Sequence, residues 1–437
     1  MTRPGGTWQN WARTEKVRPQ VVEYPTTVEA VRRSVRSAAA RGRAVKAVGA
    51  GHSFTGIAAA PGTLLDLTEL SGLISVDRER RRVRLLAGTR LHRIPALLAP
   101  YALAMPNLGD IDRQSIAGAI STGTHGTGRR FGGISAQVVG ATLVTADGDL
   151  LTVDDDHEPD LLPAVALGLG ALGILVDVTL QCVPSFGLHA RERPEDFDTV
   201  LDDLDARMHE SDHFEFYWFP HTDVALTKTN TRLSADAPIG PLSPAARLID
   251  ERIIGNGVHQ LVCSAGRAAP PLIPAINRLS ARVWGDREFS DASHRVFATS
   301  RSVRFREMEY AVPVEELAAA VREVRDIADS RGWRIEFPIE VRVAAADDRW
   351  LSTAYGRESG YIAVHRYWRA DDRSYFDAVE EVLRARGGRP HWGKLHTLDA
   401  GELRARYPRF DDFLALRERL DPARMFRNPY LDRVLGA

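Results

Sequence analysis

Five short stretches of this chain hold side chains that can do chemistry. In GAGHSF, 49–54, His52 stands between a pair of glycines and Ser53. Glycines let a backbone turn with positive φ and approach a ligand closely, and successive N–H groups in such turns form a concave anion cradle. SIAGAISTGTHGTG, 115–128, has the same glycine and hydroxyl composition. In IEVR, 339–342, Glu340 and Arg342 lie two apart, so on a strand their side chains leave the same face. His365 and Tyr367 alternate likewise in AVHRY, 363–367, and HWGK, 391–394, sets His391 and Lys394 on a tight turn. A carboxylate, a guanidinium, an imidazole and an amine converging on one pocket would serve proton transfer and the stabilisation of negative charge.

Each stretch also has an ordinary reading. Glycine is the usual residue of any strained turn, and paired charges on a strand are often a solvated face. Neither glycine segment is the dinucleotide fingerprint GxGxxG with an acid about 20 positions on, nor a P-loop ending in GK[ST]. A nicotinamide Rossmann site and an NTPase both lose ground. His125, inside the second segment, reads as a residue serving the local turn.

The elements that must position these residues are legible from periodicity. Thr26 and Glu29 read as a capping box, followed by Val28, Val31, Val35 and Ala38 at helical spacing until Gly42. AVKAVG (44–49) is a strand leading into the first loop; TLLDL (63–67) and RVRLLAG (82–88) follow as strands, with a helix over about 90–99. VVGATLVTADGDLLTV, 138–153, predicts two strands joined across Asp147-Gly148. The apolar run at 161–176 is broken by Pro163 and is too short to span a bilayer, so it reads as a buried turn feeding the strand ILVDVTLQC. Beyond Pro184 come the aromatic-rich strand HFEFYWFP (213–220), a Pro- and Ala-rich insert (234–247), helices over 314–332 and 374–386, and strands over 334–343 and 361–368.

Bulk numbers bound the class. At 437 residues two domains are expected, each with its own core. With 57 Lys+Arg against 58 Asp+Glu the net charge of -1 points to neither nucleic acid nor an anionic membrane, which leaves a small molecule as partner. Cys182 and Cys263 form no CxxC, which argues against a zinc site or disulfide framework and for buried apolar filler. The polar N-terminus lacks the apolar segment of a secretion signal, so a cytoplasmic chain is expected.

The order strand, GxGHSF, about sixty residues, then SxxGxxxTGTHG resembles the flavin-binding half of the vanillyl-alcohol-oxidase type of FAD enzymes. That resemblance implies an α+β, two-domain FAD-binding fold: an FAD domain over 1–184, a substrate domain with an antiparallel sheet flanked by helices over 185–386, and a segment 387–437 that carries HWGK back to the FAD domain. It implies that FAD is held by Gly49, Ala50, Gly51, His52, Ser53, Asp110, Ser115, Gly118, Ser121, Thr122, Gly123, Thr124, Ile174 and His391, with His52 bonded covalently to the 8α carbon of the ring. Such a link raises the flavin's potential and favours taking hydride from an unactivated alcohol.

The Glu-x-Arg strand, AVHRY and HWGK resemble the sugar-lactone and polyol branch of the same family. By that resemblance Glu340, Arg342, His365 and Lys394 surround the flavin edge: Arg342 and Lys394 stabilise the reduced ring, and Glu340 or His365 takes the hydroxyl proton, a choice left open. NLGDIDRQSIAG (107–118) looks like bacterial aldonolactone oxidoreductases of the gulono- and arabinono-1,4-lactone type, whereas comparable sugar-alcohol oxidases carry serine where Asp110 stands. The implied reaction oxidises C2 of an aldono-1,4-lactone to an ascorbate-like product, with a polyol oxidase as the alternative. The implied electron acceptor is O2, with Gly109 leaving it room, or a cytochrome- or quinone-type carrier, with peripheral membrane association compatible with the latter. A flavin-free carbohydrate-binding protein or lactone hydrolase using Ser53 and His52 is the remote rival: adjacent residues rarely reach nucleophile–base geometry, and no GxSxG elbow is present.

Overall fold

The computed structural model describes residues 2–4, 6–234, 236–243, 269–283, 285–299, 303–371 and 373–437. Cys263 and residues 244–247 of the Pro- and Ala-rich insert lie outside the described residues.

Three main sheets organise the chain. The first holds β1 (Thr2–Pro4), β2 (Val21–Glu23), β3 (Val45–Val48) and β4 (Thr63–Asp66) in the order β1-β2-β4-β3. Helix α1 (Val28–Ala39) joins β2 to β3 and buries Val31, Val35 and Ala38. Its cap is Thr27, one residue later than the sequence suggests: Thr27 is extended and accepts the Ala30 N–H at 3.1 Å, while Glu29 pairs with Arg32. The second sheet contains β5 (Leu73–Asp77), β6 (Arg82–Leu86), β7 (Val138–Val144), β8 (Leu150–Asp154) and β9 (Ile174–Gln181), in the order β8-β7-β9-β6-β5. The hairpin at Asp147-Gly148 forms as its sequence signals, with Gly148 at φ +76. The expected helix over about 90–99 is shorter, a 3-10 turn followed by Ile94–Leu98. Helix α2 (Ile116–Thr122) lies in the second glycine segment, capped by Ser115.

The third sheet is antiparallel and eight-stranded: β10 (Gly187–Asp196), β11 (His213–Trp218), β12 (Val224–Arg232), β13 (Arg287–Ala292), β14 (Phe305–Pro313), β15 (Ile339–Ala344), β16 (Ser359–Tyr367) and β17 (Arg389–Pro390). Their spatial order is β13-β10-β12-β11-β15-β16-β14-β17. The strand expected over 334–343 begins only at Ile339, after Pro338, which lacks the N–H that a ladder needs.

Side-chain parity gives this sheet two faces of opposite character. Phe214, Phe216 and Trp218 on β11, Met308, Tyr310 and Val312 on β14, Ile339, Val341 and Val343 on β15, and Ile362 and Val364 on β16 join one apolar core. Helices α3 (Leu317–Ser330) and α4 (Arg373–Ala385) cover that face with Leu317, Val321, Val324, Phe376 and Val379. Each such side chain, once buried, contributes about 1.5–3 kcal/mol. The in-between residues therefore point the other way, and they include Glu215, Glu307, Glu309, Glu340, Arg342 and His365.

The last residues return to the first sheet. Val45 N–H donates to Met425 O at 2.8 Å, and Asn428 Nδ2 lies 3.0 Å from each of the carbonyls of Gly56, Ile57 and Ala59. Cys182 is buried, and burial pushes its thiol up to about 12, which fits inert filler. Among the described residues no helix is long and apolar enough to cross a membrane.

Candidate active site

Two clefts meet at His52. The first, of about 1060 Å³, is lined by Gly49, Ala50, Gly51, His52, Ser53, Ser115, Gly118, Ser121, Thr122 and Ile174. The second, of about 750 Å³, is lined by Asp110, Thr124, Glu340, Arg342, His365, His391 and Lys394. His52, Ser53, Gln114 and Thr122 line both, so the clefts share a wall there. Of the residues expected to hold FAD, Gly123 alone lines neither. It ends α2 at φ +80 in the left-handed region, where glycine is the usual terminator, and its role is local.

The first cleft has the build of a phosphate cradle. A Cβ at Gly49 would fall 2.1 Å from Ser115 Oγ, so only glycine allows the loop this close, and Gly51 turns at φ +67. The N–H groups of residues 50 to 53 meet no protein acceptor among the described residues. Lys46 also lines the cleft, and its Nζ lies 2.7 Å from Gly170 O, 3.3 Å from Phe426 O and 3.5 Å from Leu169 O. Burial, with Arg417 adding to it, pulls Lys46 down to about 7. The N–H groups of the loop suit a group that presents phosphate oxygens.

His52 is set for a different task. Trp11 stacks on its ring at 5.6 Å, and the Trp11 N–H holds Gly51 O at 2.8 Å. Burial, then the charges of Arg90, Lys394 and Arg113, pull the imidazole down to about 4, so at neutral pH it carries a free lone pair. Phe54 N–H donates to Gly393 O at 2.7 Å and ties this loop to the HWGK turn.

In the second cleft the charges fall into two groups. Arg342 contacts Asp110 and Glu340, and its Nε donates to Glu215 at 2.8 Å. The Tyr217 hydroxyl lies 3.4 Å from Glu340 and 3.5 Å from Glu215; burial, with those two carboxylates adding to it, holds the phenol well above its ordinary range and keeps it protonated. In the other group, Lys394 contacts Glu307 and lies 3.9 Å from Glu309. Burial opposes the ionised form of Lys394, but Glu307 and Glu309 outweigh it and hold the amine above its ordinary value.

The three histidines differ in what they have left to give. His365 Nδ1 faces Pro338 O at 3.2 Å and its Nε2 faces Glu307 at 3.5 Å, so both nitrogens point at acceptors. His391 accepts the Gly393 N–H at Nδ1, and burial pulls it down to about 4. His125, read from sequence as a turn residue, does bond Gly126 O at 2.8 Å, but it also lines the second cleft, meets Glu309 at 3.1 Å and stacks on Tyr361. Tyr367, expected on the pocket wall beside His365, instead packs with Phe54, Phe305 and Phe337.

Sequence reasoning missed Glu215, Glu307, Glu309, Tyr217 and Lys46. The first four carried the same signal that found Glu340 and Arg342: acids or a phenol alternating with large apolar residues in HFEFYW and FREMEY. Gly109 has a reason other than acceptor access, since a Cβ there would come 2.8 Å from His125 O.

The comparisons with known proteins agree with this geometry. The FAD binding domain model matches residues 19–154, and the D-arabinono-1,4-lactone oxidase model matches residues 178–434. L-gulono-1,4-lactone dehydrogenase of Mycobacterium tuberculosis (strain H37Rv) is 44% identical over 98% of this chain and 99% of its own. L-gulonolactone oxidase of Scyliorhinus torazame is 34% identical, and alditol oxidase of a Streptomyces species 31% identical, each over 98% of both chains. In fold the chain is similar to cholesterol oxidase from Brevibacterium sterolicum, TM-score 0.83 at 18% identity, covering 100% of this chain and 97% of that one. That likeness shows the two-domain α+β fold of the vanillyl-alcohol-oxidase type, and the matched domain identifies FAD as the cofactor. With its C-terminal half matched end to end and its relatives aligned over nearly every residue, the chain belongs to the D-arabinono-1,4-lactone oxidase family.

Proposed function

We propose that the protein oxidises the C2 hydroxyl of an aldono-1,4-lactone of the gulono, galactono or arabinono type. The observation that supports this reading is the meeting of the two clefts at His52, with Glu340, Arg342 and Lys394 lining the cleft next to the glycine loop. FAD, when bound, supplies the two-electron acceptor that takes the C2 hydrogen as hydride. The hydroxyl proton leaves to a base, and the 2-keto lactone enolises to an ascorbate-like enediol.

Glu340 suits the base better than His365. Both ring nitrogens of His365 are turned to protein groups, Pro338 O and Glu307, whereas Glu340 is a carboxylate on the cleft wall. Arg342 and Lys394 stabilise negative charge developing beside them. His52, neutral and in contact with both clefts, is the nucleophile for a covalent link to the flavin.

A substrate panel tests the reading. Aldono-1,4-lactones are expected to exceed xylitol and sorbitol in kcat/KM by about 10²-fold or more, because a site built to bond one set of oxygens rejects a ligand that leaves them unpaired. A preference for the polyols would overturn it. Peroxide measured under air separates O2 from a cytochrome- or quinone-type acceptor.

Lys394→Met is expected to slow substrate-dependent bleaching of the flavin absorbance about 10²- to 10³-fold while flavin content stays unchanged. Rapid mixing reads the rate and the visible spectrum reads the content. Loss of flavin would instead make Lys394 a cofactor-holding residue.

A further inference from the structure

Five strands of the large sheet carry a single row of alternating charge on the face away from the helices. It begins at Arg287 on the edge strand β13, 2.6 Å from Glu192 on β10. Glu192 is the register partner of Lys228 on β12, whose ammonium lies 3.2 Å from Glu215 on β11. Phe216 pairs with Val341, which sets Glu215 opposite Arg342 on β15 at 2.8 Å. The signs read plus, minus, plus, minus, plus, and the row ends on the guanidinium that touches Glu340.

The interior of this row is dry: Glu192, Lys228 and Glu215 are 7%, 7% and 5% exposed. Lys228 does not line either cleft, and its other contact is Val296 O at 3.3 Å. Around Glu340 stand Arg342 on its own strand, Tyr217 and Glu215 on β11, Asp110, and Lys394 from the HWGK turn, with His365 and Glu307 across the same cleft. Asp110, Glu215 and Glu340 bring three negative charges against the one positive charge of Arg342. Lys228 supplies the second.

We propose that Lys228, two strands away from Glu340, is a positioning residue whose charge offsets Glu215 and thereby leaves Arg342 free to keep the Glu340 carboxylate ionised. The proposal rests on the reading of Glu340 as the proton acceptor. Burial opposes the charge on Lys228, but Glu215 and Glu192 hold its amine above the ordinary value, so it stays cationic across the working range. In a site this dry, a charge removed two strands away is still felt, because little water screens it.

Two readouts test this: the acid limb of kcat/KM against pH, and the infrared carbonyl stretch of a protonated carboxylic acid in the substrate-free holoenzyme. Lys228→Met is expected to raise the limb by about one pH unit or more, with the band appearing at correspondingly higher pH. Lys228→Arg is expected to restore both. Glu192→Gln, which removes the outer negative charge, is expected to move the limb down. An unchanged limb and band in Lys228→Met, or an upward shift in Glu192→Gln, would overturn the role of Lys228. If Lys228→Met does not fold, Lys228→Arg and Glu192→Gln carry the test. A limb that persists in Glu340→Gln overturns the reading of Glu340 itself; a limb lost there but unmoved in Lys228→Met overturns only the action at a distance.

Discussion

Replacing Arg342 by methionine is expected to cut kcat/KM by about 10³-fold or more and to lower the unfolding free energy by about 3–5 kcal/mol, the cost of removing one partner from a buried charge cluster. The magnitude follows from what is left behind. Asp110, Glu215 and Glu340 all contact this one guanidinium, and each is nine-tenths or more buried at its side chain. Arg342→Lys is expected to recover only part of the loss, since a compact ammonium cannot present separate N–H groups to three carboxylates.

The stability deficit has a definite pH dependence. Burial alone would raise the Glu215 carboxyl, but Arg342 and Lys228 outweigh it and hold it below its ordinary value. A depressed carboxyl contributes stability that is present above its unfolded pKa and lost as pH falls through its folded pKa. Without Arg342 that contribution disappears and the buried carboxylates resist ionisation, so the gap between variant and wild type widens as pH rises from about 4. Urea denaturation at pH 5 and pH 7 measures it. An equal deficit at both values would mean that packing, and not charge, sets the effect.

His52→Ala is expected to convert a flavin that stays with acid-precipitated protein into one that is released entirely to the supernatant. The imidazole has the required character: it is buried, pulled down to about 4, and therefore a neutral nucleophile at any pH where the protein works. The approaches of Gly49 and Gly51 do not depend on it, so the variant is expected to bind FAD reversibly and to remain yellow before denaturation. Its turnover is expected to fall as well, because the link that raises the flavin's potential is gone. Absorbance of pellet and supernatant reads the first outcome. A colourless wild-type pellet would end the case for a covalent bond.

Much of this was legible in the sequence because strand parity is a local property. Glu340 and Arg342 lie two apart, so one rule put both on one face, and the glycine loop announced itself through residues that only a strained or closely approached backbone requires. What stayed hidden depended on sheet order. Glu215 and Arg342 are neighbours only because β11 pairs with β15, and Glu307 reaches Lys394 because β17 and the turn after it lie beside β14. Without that order, an acid alternating with phenylalanine is indistinguishable from one on a wet face. Gly123 shows the converse ambiguity, since glycine ends a helix for the same conformational reason that it opens a cradle. The spacing to Glu29 points to Thr26 as the cap, but the extended backbone is at Thr27, which accepts the Ala30 N–H instead.

The amide of Asn428 that reaches Gly56, Ile57 and Ala59, together with the strand contact from Met425 to Val45, has a consequence for biosynthesis. The loop holding His52 emerges from the ribosome well before the turn that supplies Lys394 and before the stitch that fixes its downstream neighbours, since Asn428 follows Gly56 by 372 residues. A nascent chain therefore has no finished seat for its redox group until translation has passed Asn428, and loading follows that point. A stop codon just ahead of Asn428 would remove the closure of a pocket whose walls are almost complete.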